Sequence, residues 1–303
     1  MPARRTHASR PVVVLSWLVA ALAMLACVPA FAWADDGPRT ATSVRGEEVE
    51  LRGDGLYQHD TVFIAEGSRG TDVVTLALGI PFLVVALVLY RRGGPRAELL
   101  VIGALTYFFY VYASRALGNA YNGLFPLYIA LFSASLFGLV LAVTSLDRDE
   151  LRGRLAVEQP RRPLAWFLLA SAGITSLVWL APLLSAGARH DAPKYLDAYT
   201  TTVTDVIDIG VLVPTLVLAA VLILRREVLG YVLAVALLVL LLFVAATIVA
   251  GTVFQLAAHV DFTTGEVVGP IAGFLVLALV AVWLLAGLLR GAGRPGATAP
   301  SPG

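Results

Sequence analysis

The chain has 303 residues, of which 58% are hydrophobic and 14% are charged, and its mean hydropathy is +0.82. This apolar content exceeds what a soluble domain of that size can bury, so the composition excludes an ordinary soluble protein and indicates a membrane protein. A net charge of +1 argues against a nucleic-acid partner, and the single Cys27 excludes an intramolecular disulfide or a multi-cysteine metal centre.

Eight apolar segments are long enough to cross a hydrocarbon core about 30 Å thick. They lack strict alternation, and because unpaired backbone groups are costly in lipid, we expect helices. The predicted spans are approximately Pro11 to Trp33, Asp72 to Tyr90, Leu99 to Leu117, Leu124 to Val143, Leu164 to Leu184, Val203 to Leu224, Gly230 to Phe254 and Pro270 to Leu289. The expected fold is an all-α, polytopic transmembrane helix bundle in contact with the lipid bilayer.

Residues 1–34 admit two interpretations. The basic start and the "AWA" before Asp35 are typical of a signal peptide that is cleaved after Ala34. The apolar run of about 23 residues is longer than a usual signal core and is long enough to remain as the first transmembrane helix. Both interpretations stay open at this point.

Residues 35–70 form a predicted outer loop. Its only segment with an alternating pattern is "EEVELRG" at 47–53, which predicts at most a small strand or hairpin.

The second span contains a phrase that recurs later in the chain. "TDVVTLALGIP" at 71–81 returns as "TDVIDIGVLVP" at 204–214, an offset of 133, and ten of the 22 positions in 71–92 and 204–225 are identical. We therefore expect two four-helix halves. Because four is an even number, the halves should be parallel repeats about an axis along the membrane normal. The predicted segments after the outer loop are first-half helices at 71–145, an inner loop at 146–163, second-half helices at 164–290 and a disordered inner tail at 291–303.

Four charged residues near the predicted outer ends of the spans are candidates for a substrate or ion path. Asp72 and Asp205 each follow a threonine at an expected helix start, where an N-cap and the helix dipole suffice to explain them. Asp208 lies one turn deeper, where a charge is costly unless it is paired, protonated or exposed to a water-filled cavity. Arg115 is the expected partner of Asp72 or of Asp208. Such a pair either locks the bundle or lines a path.

Three histidines in the predicted outer loops stand beside carboxylates, and histidine with carboxylate is a ligand set for zinc or a similar divalent ion. The pairs are His59 with Asp60, His190 with Asp191, and His259 with Asp261. Each pair is on a separate loop, so solvated loop residues are the favoured interpretation and we assign no cofactor.

The arginines predict the orientation of the chain. With the N-terminus inside, 15 of the 22 basic residues fall in the inner loops and tails, as the positive-inside rule requires. The prediction is a multi-pass protein of the bacterial plasma membrane with a cytoplasmic C-terminus.

Several phrases carry a resemblance. "GLYQHDTVF", "GTDVVTLALGIP", "YASRALGNAYNGLFPLYIALFSASLFGL" and "YTTTVTDVIDIGVLVP" resemble recurring phrases of multi-pass membrane proteins of high-GC bacteria that have no assigned function. The resemblance covers mainly residues 55–143 and 199–226. It implies an architecture of seven to eight spans and no catalytic residues.

Three functions fit these patterns. The first is a small-solute or ion transporter with an outward-facing acidic cavity, which requires Asp205, Asp208 and Arg115 around a continuous polar cavity. The alternative is a non-catalytic interaction or sensing subunit that works with a protein partner or as a homo-oligomer. The third is a membrane enzyme with an outer His/Asp metal site, although no nucleotide-binding or hydrolase motif is present in the sequence.

Overall fold

A computed structural model describes residues 8–31, 37–155 and 161–292 of the chain. Within these residues, eight helical segments are long and apolar enough to cross a membrane. The expected all-α fold is thereby confirmed, and the eight candidate spans are consistent with a multi-pass membrane protein. The predicted cleavage position after Ala34 and the tail from residue 293 onward lie outside the described residues.

The helices and strands follow one another along the chain with short connections. They are α1 (Arg10–Cys27), β1 (Arg39–Thr42), β2 (Glu48–Leu51), α2 (Val62–Val74), α3 (Ile80–Arg92), α4 (Pro95–Gly118), α5 (Phe125–Thr144), α6 (Arg148–Leu155), α7 (Arg161–Ala188), α8 (Val203–Ile207), α9 (Val213–Leu224), α10 (Val228–Ala257) and α11 (Thr264–Ala292). A 3-10 turn at Val28–Phe31 extends α1. The strands β1 and β2 pair antiparallel, and β2 lies in the alternating segment for which at most a small strand or hairpin was expected.

The second and sixth spans are each built from two α-helices joined by one turn of π-helix. The π turns are Thr75–Gly79 and Asp208–Leu212. The second residue after each turn is a proline, Pro81 or Pro214. A proline cannot donate the usual helical hydrogen bond, and the wider turn before it accommodates that loss. The two π turns begin 133 residues apart, since 208 − 75 = 133, and the helices after them begin 133 residues apart as well.

One end of the bundle, here called the hairpin end, is formed by four connections that contact one another. Arg45 in the hairpin turn donates to the backbone carbonyls of Asp197 and Tyr199, and Asp60 accepts from the backbone N–H of Ala120 at 2.7 Å. Lys194 forms an ion pair with Glu266 at the start of α11. The connections are residues 37–61, 119–124, 189–202 and 258–263.

The opposite end of the bundle carries most of the arginines and is called the arginine end. The Arg96 guanidinium donates to the carbonyl of Leu289 at 2.6 Å, and Arg152 lies 3.8 Å from Glu227. The basic connectors after α3, α5 and α9 therefore lie at one end together with the end of α11, which is the grouping that the sequence pattern predicted.

Helices α4 and α10 form the centre of the bundle. They pack against each other, α4 also packs against α3 and α5, and α10 also packs against α2, α9 and α11. Gly103 on α4 meets the side chain of Val239 on α10, so the two helices approach closely. Around this centre, large apolar side chains such as Trp166, Leu279 and Trp283 are exposed on the rim, as lipid contact requires.

The second span starts earlier than the sequence pattern indicated. Helix α2 begins at Val62, with Thr61 as its N-cap, so Asp72 lies inside a helix and not at its start. The polar first part of α2 is helical because the buried Glu66 forms ion pairs with Arg52 and Arg69. A hydropathy pattern cannot detect charges that are compensated in this way.

A contact between two glycines fixes the position of α2 against α10. A Cβ atom added to Gly70 would lie 2.3 Å from the backbone nitrogen of Gly251. Because the atoms that this Cβ would meet belong to the backbone of α10, the close approach of the two helices needs a residue without a side chain at Gly70.

We predict that Gly70→Ala lowers the free energy of unfolding by about 1–3 kcal/mol, because it overpacks a backbone contact. Thermal unfolding can be followed with a thiol-reactive dye, since Cys27 is the single cysteine and is buried. Gly173→Ala on α7 is the matched control, because a Cβ there meets nothing within 4 Å. Equal melting temperatures for the two variants would contradict the prediction.

Candidate functional site

The first buried acid, Asp72, is part of a closed ion pair. Nη2 of Arg115 lies 2.7 Å from Oδ1 of Asp72, and the two side chains are 4% and 1% exposed. The same nitrogen donates to the backbone carbonyl of Ser68 at 2.9 Å. The pair joins α4 to α2 near the hairpin end.

Tyr57, from the connection before α2, completes this cluster. Its hydroxyl donates to Oδ2 of Asp72 at 2.6 Å and accepts from Arg115. Burial raises the pKa of Tyr57 well above its ordinary value, so the phenol stays neutral and keeps its proton for Asp72. The guanidinium also lies over the rings of Tyr57 and Tyr128, at 5.4 and 5.9 Å from their centroids. Both carboxylate oxygens of Asp72 are thus satisfied, and the cluster is suited to locking the bundle.

A second layer of hydrogen bonds at the hairpin end covers this cluster. Asp60 accepts from the hydroxyl of Tyr199 at 2.5 Å and from the backbone of Ala120. Burial raises the pKa of Asp60, and burial also raises the pKa of Tyr199, with the neighbouring carboxyl adding to the effect. The layer ties the connection before α8 to the one before α2.

The second buried acid, Asp208, has a different environment. It is the first residue of the second π turn and is 5% exposed. The hydroxyl of Tyr110 on α4 donates to its Oδ1 at 2.9 Å. Among the described residues, no arginine, lysine or histidine forms an ion pair with Asp208. The indole nitrogen of Trp179 on α7 approaches the same carboxyl, is buried and makes no hydrogen bond.

A cleft opens beside Asp208 between α7, α9, α10 and α11. It encloses a cavity of about 40 Å³ within roughly 530 Å³ of empty space that includes its open mouth. Its walls are mainly leucine and phenylalanine side chains, with Phe167 from α7 and Phe274 from α11. Besides Asp208 and Tyr110, its polar lining consists of Ser171 and Thr175. The site is therefore one carboxyl group in a narrow, mostly apolar slot.

The four predicted path residues fall into separate places. Arg115 contacts Asp72 and not Asp208, because Asp72 faces α4 from within helix α2. Asp205 lies in the first turn of α8 beside Thr202, where the positive end of the helix dipole stabilises its negative charge. It does not line the cleft. We expected one cavity shared by Asp205, Asp208 and Arg115. Instead, Arg115 lies in the closed cluster with Asp72, and of these three residues Asp208 alone lines the cleft.

The three histidine and aspartate pairs are not brought together in the described part of the chain, where no group of three metal-ligating side chains occurs. His59 contacts Arg39 at 3.0 Å. His190 and His259 have positive φ angles of 55° and 58° just after α7 and α10, so they terminate helices. The positions of His190 and His259 are therefore explained by the turns in which the chain leaves α7 and α10.

No protein-family model, curated protein or solved structure matches this chain. The geometry of its own residues is therefore the basis for assigning a function.

Three residues of these clusters were not singled out by the sequence pattern. Tyr57 lies in an outer loop, and Tyr110 lies in an aromatic run that an interfacial belt explains equally well. Trp179 has no neighbouring charge in sequence. Only the depth of Asp208 in its span signalled that some polar group had to approach it.

We predict that Asp72→Asn destabilises the protein by about 3–5 kcal/mol, because Arg115 is left buried without its counter-charge. Replacing the pair together, as Asp72→Leu with Arg115→Met, should recover most of that loss, since no buried charge remains. Equilibrium unfolding in detergent micelles measures both effects. An Asp72→Asn variant as stable as the unmodified protein would show that the pair is not the lock described above.

A pH effect follows from Asp60. Because burial raises its pKa, the folded state holds the proton more tightly than the unfolded state, and the free energy of unfolding falls as pH rises above the ordinary aspartate range. The Asp60→Asn variant has no carboxyl group to titrate at this position, so it lacks this contribution to the pH dependence of the free energy of unfolding. The melting temperature of the variant relative to the unmodified protein should therefore be higher at about pH 8 than at about pH 4. A difference that does not change with pH would contradict this assignment.

Proposed function

We propose that this chain is a membrane transporter for a small cationic solute or ion, with Asp208 as the binding carboxylate. The observation that supports the proposal is the buried Asp208 carboxyl at the cleft, hydrogen-bonded to Tyr110 and without an ion-pair partner among the described residues.

The energetic argument rests on the cost of burying a charge. An ionised carboxylate in an apolar slot is unfavourable unless a cation or proton compensates it, and one neutral phenol does not supply that charge. Ionisable residues in such positions within membrane proteins mark substrate or ion pathways. Asp72, by contrast, already has Arg115 and is assigned to structure.

We propose further that the chain contains two parallel four-helix halves. Helices α4 and α10 begin 133 residues apart, as do the two π turns. The glycine contact of α2 with α10, Gly70 against Gly251, has a counterpart in the contact of Val203 with Gly118. Those residues are related by the same offset, since 70 + 133 = 203 and 251 − 133 = 118, with the roles of the halves exchanged. Such reciprocal contacts are what a two-fold axis between α4 and α10 would generate.

The cleft lies in the proposed second half, and Tyr110 is the lining residue that the first half contributes. Tyr110 belongs to the first half and Asp208 to the second, so their hydrogen bond crosses the boundary between them. Movement of the spans around the cleft against α4 would make and break this bond, and gating of one group of helices against another is a way in which duplicated transporters alternate access to a central site.

The cellular setting is part of the proposal. The arginine distribution supports a multi-pass protein of the bacterial plasma membrane, with the arginine end and the C-terminus cytoplasmic. The hairpin end, with its acidic loops, then faces outward. Membership in the multi-pass family of high-GC bacteria that the sequence resembles stays a prediction.

An interaction or sensing subunit is the second candidate. It is favoured by the sealed Arg115 cluster and by the connections that interlock at the hairpin end, because a rigid outer surface suits a partner protein. Transport remains the first proposal, since this alternative gives no reason for Asp208.

We predict that purified protein in liposomes takes up at least one of radiolabelled sodium, rubidium or methylammonium. Asp208→Asn should reduce that uptake at least about tenfold, which corresponds to about 1.4 kcal/mol of lost cation binding. Asp205→Asn is the matched control, because it removes a carboxylate one turn away that does not line the cleft. Uptake that is unaffected by Asp208→Asn would contradict the role of this residue, and absence of uptake of all three cations would favour the subunit.

A further inference from the structure

We infer that the cleft beside Asp208 binds an elongated hydrophobic monocation, with an alkylammonium group on the carboxylate and its apolar chain along the slot. This inference rests on the proposed function and specifies its substrate class.

The polar groups of the cleft lie toward one end. Helices α7 and α10 run toward the hairpin end, whereas α9 runs away from it. Asp208 is therefore nearer the hairpin end than Leu216, and Thr175 is nearer it than Phe167. Leu237 to Val244 on α10 extends the lining over roughly 10 Å at 1.5 Å per residue. A ligand with one polar head and one apolar tail matches this distribution.

The walls discriminate between classes of cation. A dehydrated metal ion needs several oxygen ligands, such as six or more for Ca²⁺. The cleft offers the carboxyl of Asp208 and the hydroxyls of Tyr110, Thr175 and Ser171, and the rest of its lining is hydrocarbon. An ammonium group requires few acceptors, and its chain gains by leaving water. The enclosed volume of about 40 Å³ admits only the ammonium end of such a ligand, so its apolar chain lies in the open part of the cleft, within the roughly 530 Å³ of empty space.

The corresponding positions in the first half are filled. With the offset of 133, Leu240 and Leu241 of the cleft correspond to Tyr107 and Phe108, which are buried side chains of the core. Asp208 corresponds to Thr75, whose hydroxyl is paired with Tyr107 at 2.7 Å. An open slot and an acid thus occur together in one half, and a closed core and a neutral residue occur together in the other.

The cleft also has a route from the side. In the first half α1 packs along α5, whereas α7 and α11 make no comparable contact in the described residues. The slot is flanked by α7 and α11, whose outer faces carry exposed apolar side chains such as Trp166 and Leu279. An amphipathic amine that partitions into the bilayer can therefore enter without crossing the hairpin end.

The test uses the full chain in nanodiscs of phosphatidylglycerol, a lipid without an amine, and radiolabelled n-decylamine as the probe. We expect saturable binding above that of empty nanodiscs, with competition by unlabelled decylamine and not by decanol or decanoate. Asp208→Asn and Leu241→Phe should each weaken binding at least about tenfold, the first by removing the charge and the second by filling the slot as Phe108 does in the first half. Asp205→Asn should bind as the unmodified protein does.

The outcomes separate this inference from the proposed function. Decylamine binding that survives both Asp208→Asn and Leu241→Phe, or competition by decanoate as strong as by decylamine, would overturn the inference. Transport of sodium, rubidium or methylammonium that depends on Asp208, with no saturable decylamine binding, would refute the ligand class and leave the transporter intact. Decylamine binding that depends on Asp208, without transport of any tested cation including decylamine, would support the site and refute the transporter.

Discussion

The burial of carboxylates in a membrane bundle is the constraint on which the rest of this structure depends. Asp72 and Asp208 are both almost completely buried, yet only Asp72 has a guanidinium partner. The Arg115 pair removes the cost of one charge and ties α2, α4 and the connection before α2 into one unit. Asp208 has the hydroxyl of Tyr110 and the nearby indole nitrogen of Trp179, neither of which carries a compensating charge. This difference separates a structural acid from a candidate functional one without reference to any relative.

The distribution of charge between the proposed halves explains why the acids differ. The position of α10 that corresponds to Arg115 is Ile248, since 115 + 133 = 248, so the second half has no guanidinium at that place. The second half also has an additional acid, because Asp205 corresponds to Asp72, while Asp208 begins the π turn at the position that corresponds to Thr75. An acid at a π turn faces irregular backbone geometry, where functional residues are frequently found.

Much of the fold could be predicted because membrane burial imposes a strong apolar pattern. The eight spans followed from composition, and strand β2 lies in the segment with an alternating pattern, whereas its partner β1 had no such signal. The start of α2 did not, since the ion pairs of Glu66 involve Arg52 from a loop outside the helix. The partner of Asp208 was equally hidden, because Tyr110 is 98 residues away in sequence. Hydropathy indicates whether a segment lies in lipid or in water. These contacts depend instead on which helices pack together.

The packing of the spans indicates where motion would occur. In the most apolar stretch of α4, 67% of the residues are buried in the bundle, whereas in α7 and α11 the buried share of that stretch is 17%. Helices with few buried contacts reorganise at lower free-energy cost than the core does. These two peripheral helices, which pack mainly on α9 and α10, flank the cleft, while the Arg115 cluster stabilises the opposite half. A site that must open and close is best placed between such helices, since their movement leaves the central pair of α4 and α10 undisturbed. The ion pair at Asp72 and the cleft at Asp208 are then complementary. The pair holds one side of the bundle fixed, and helices around the cleft can open or close it only by moving relative to a fixed part.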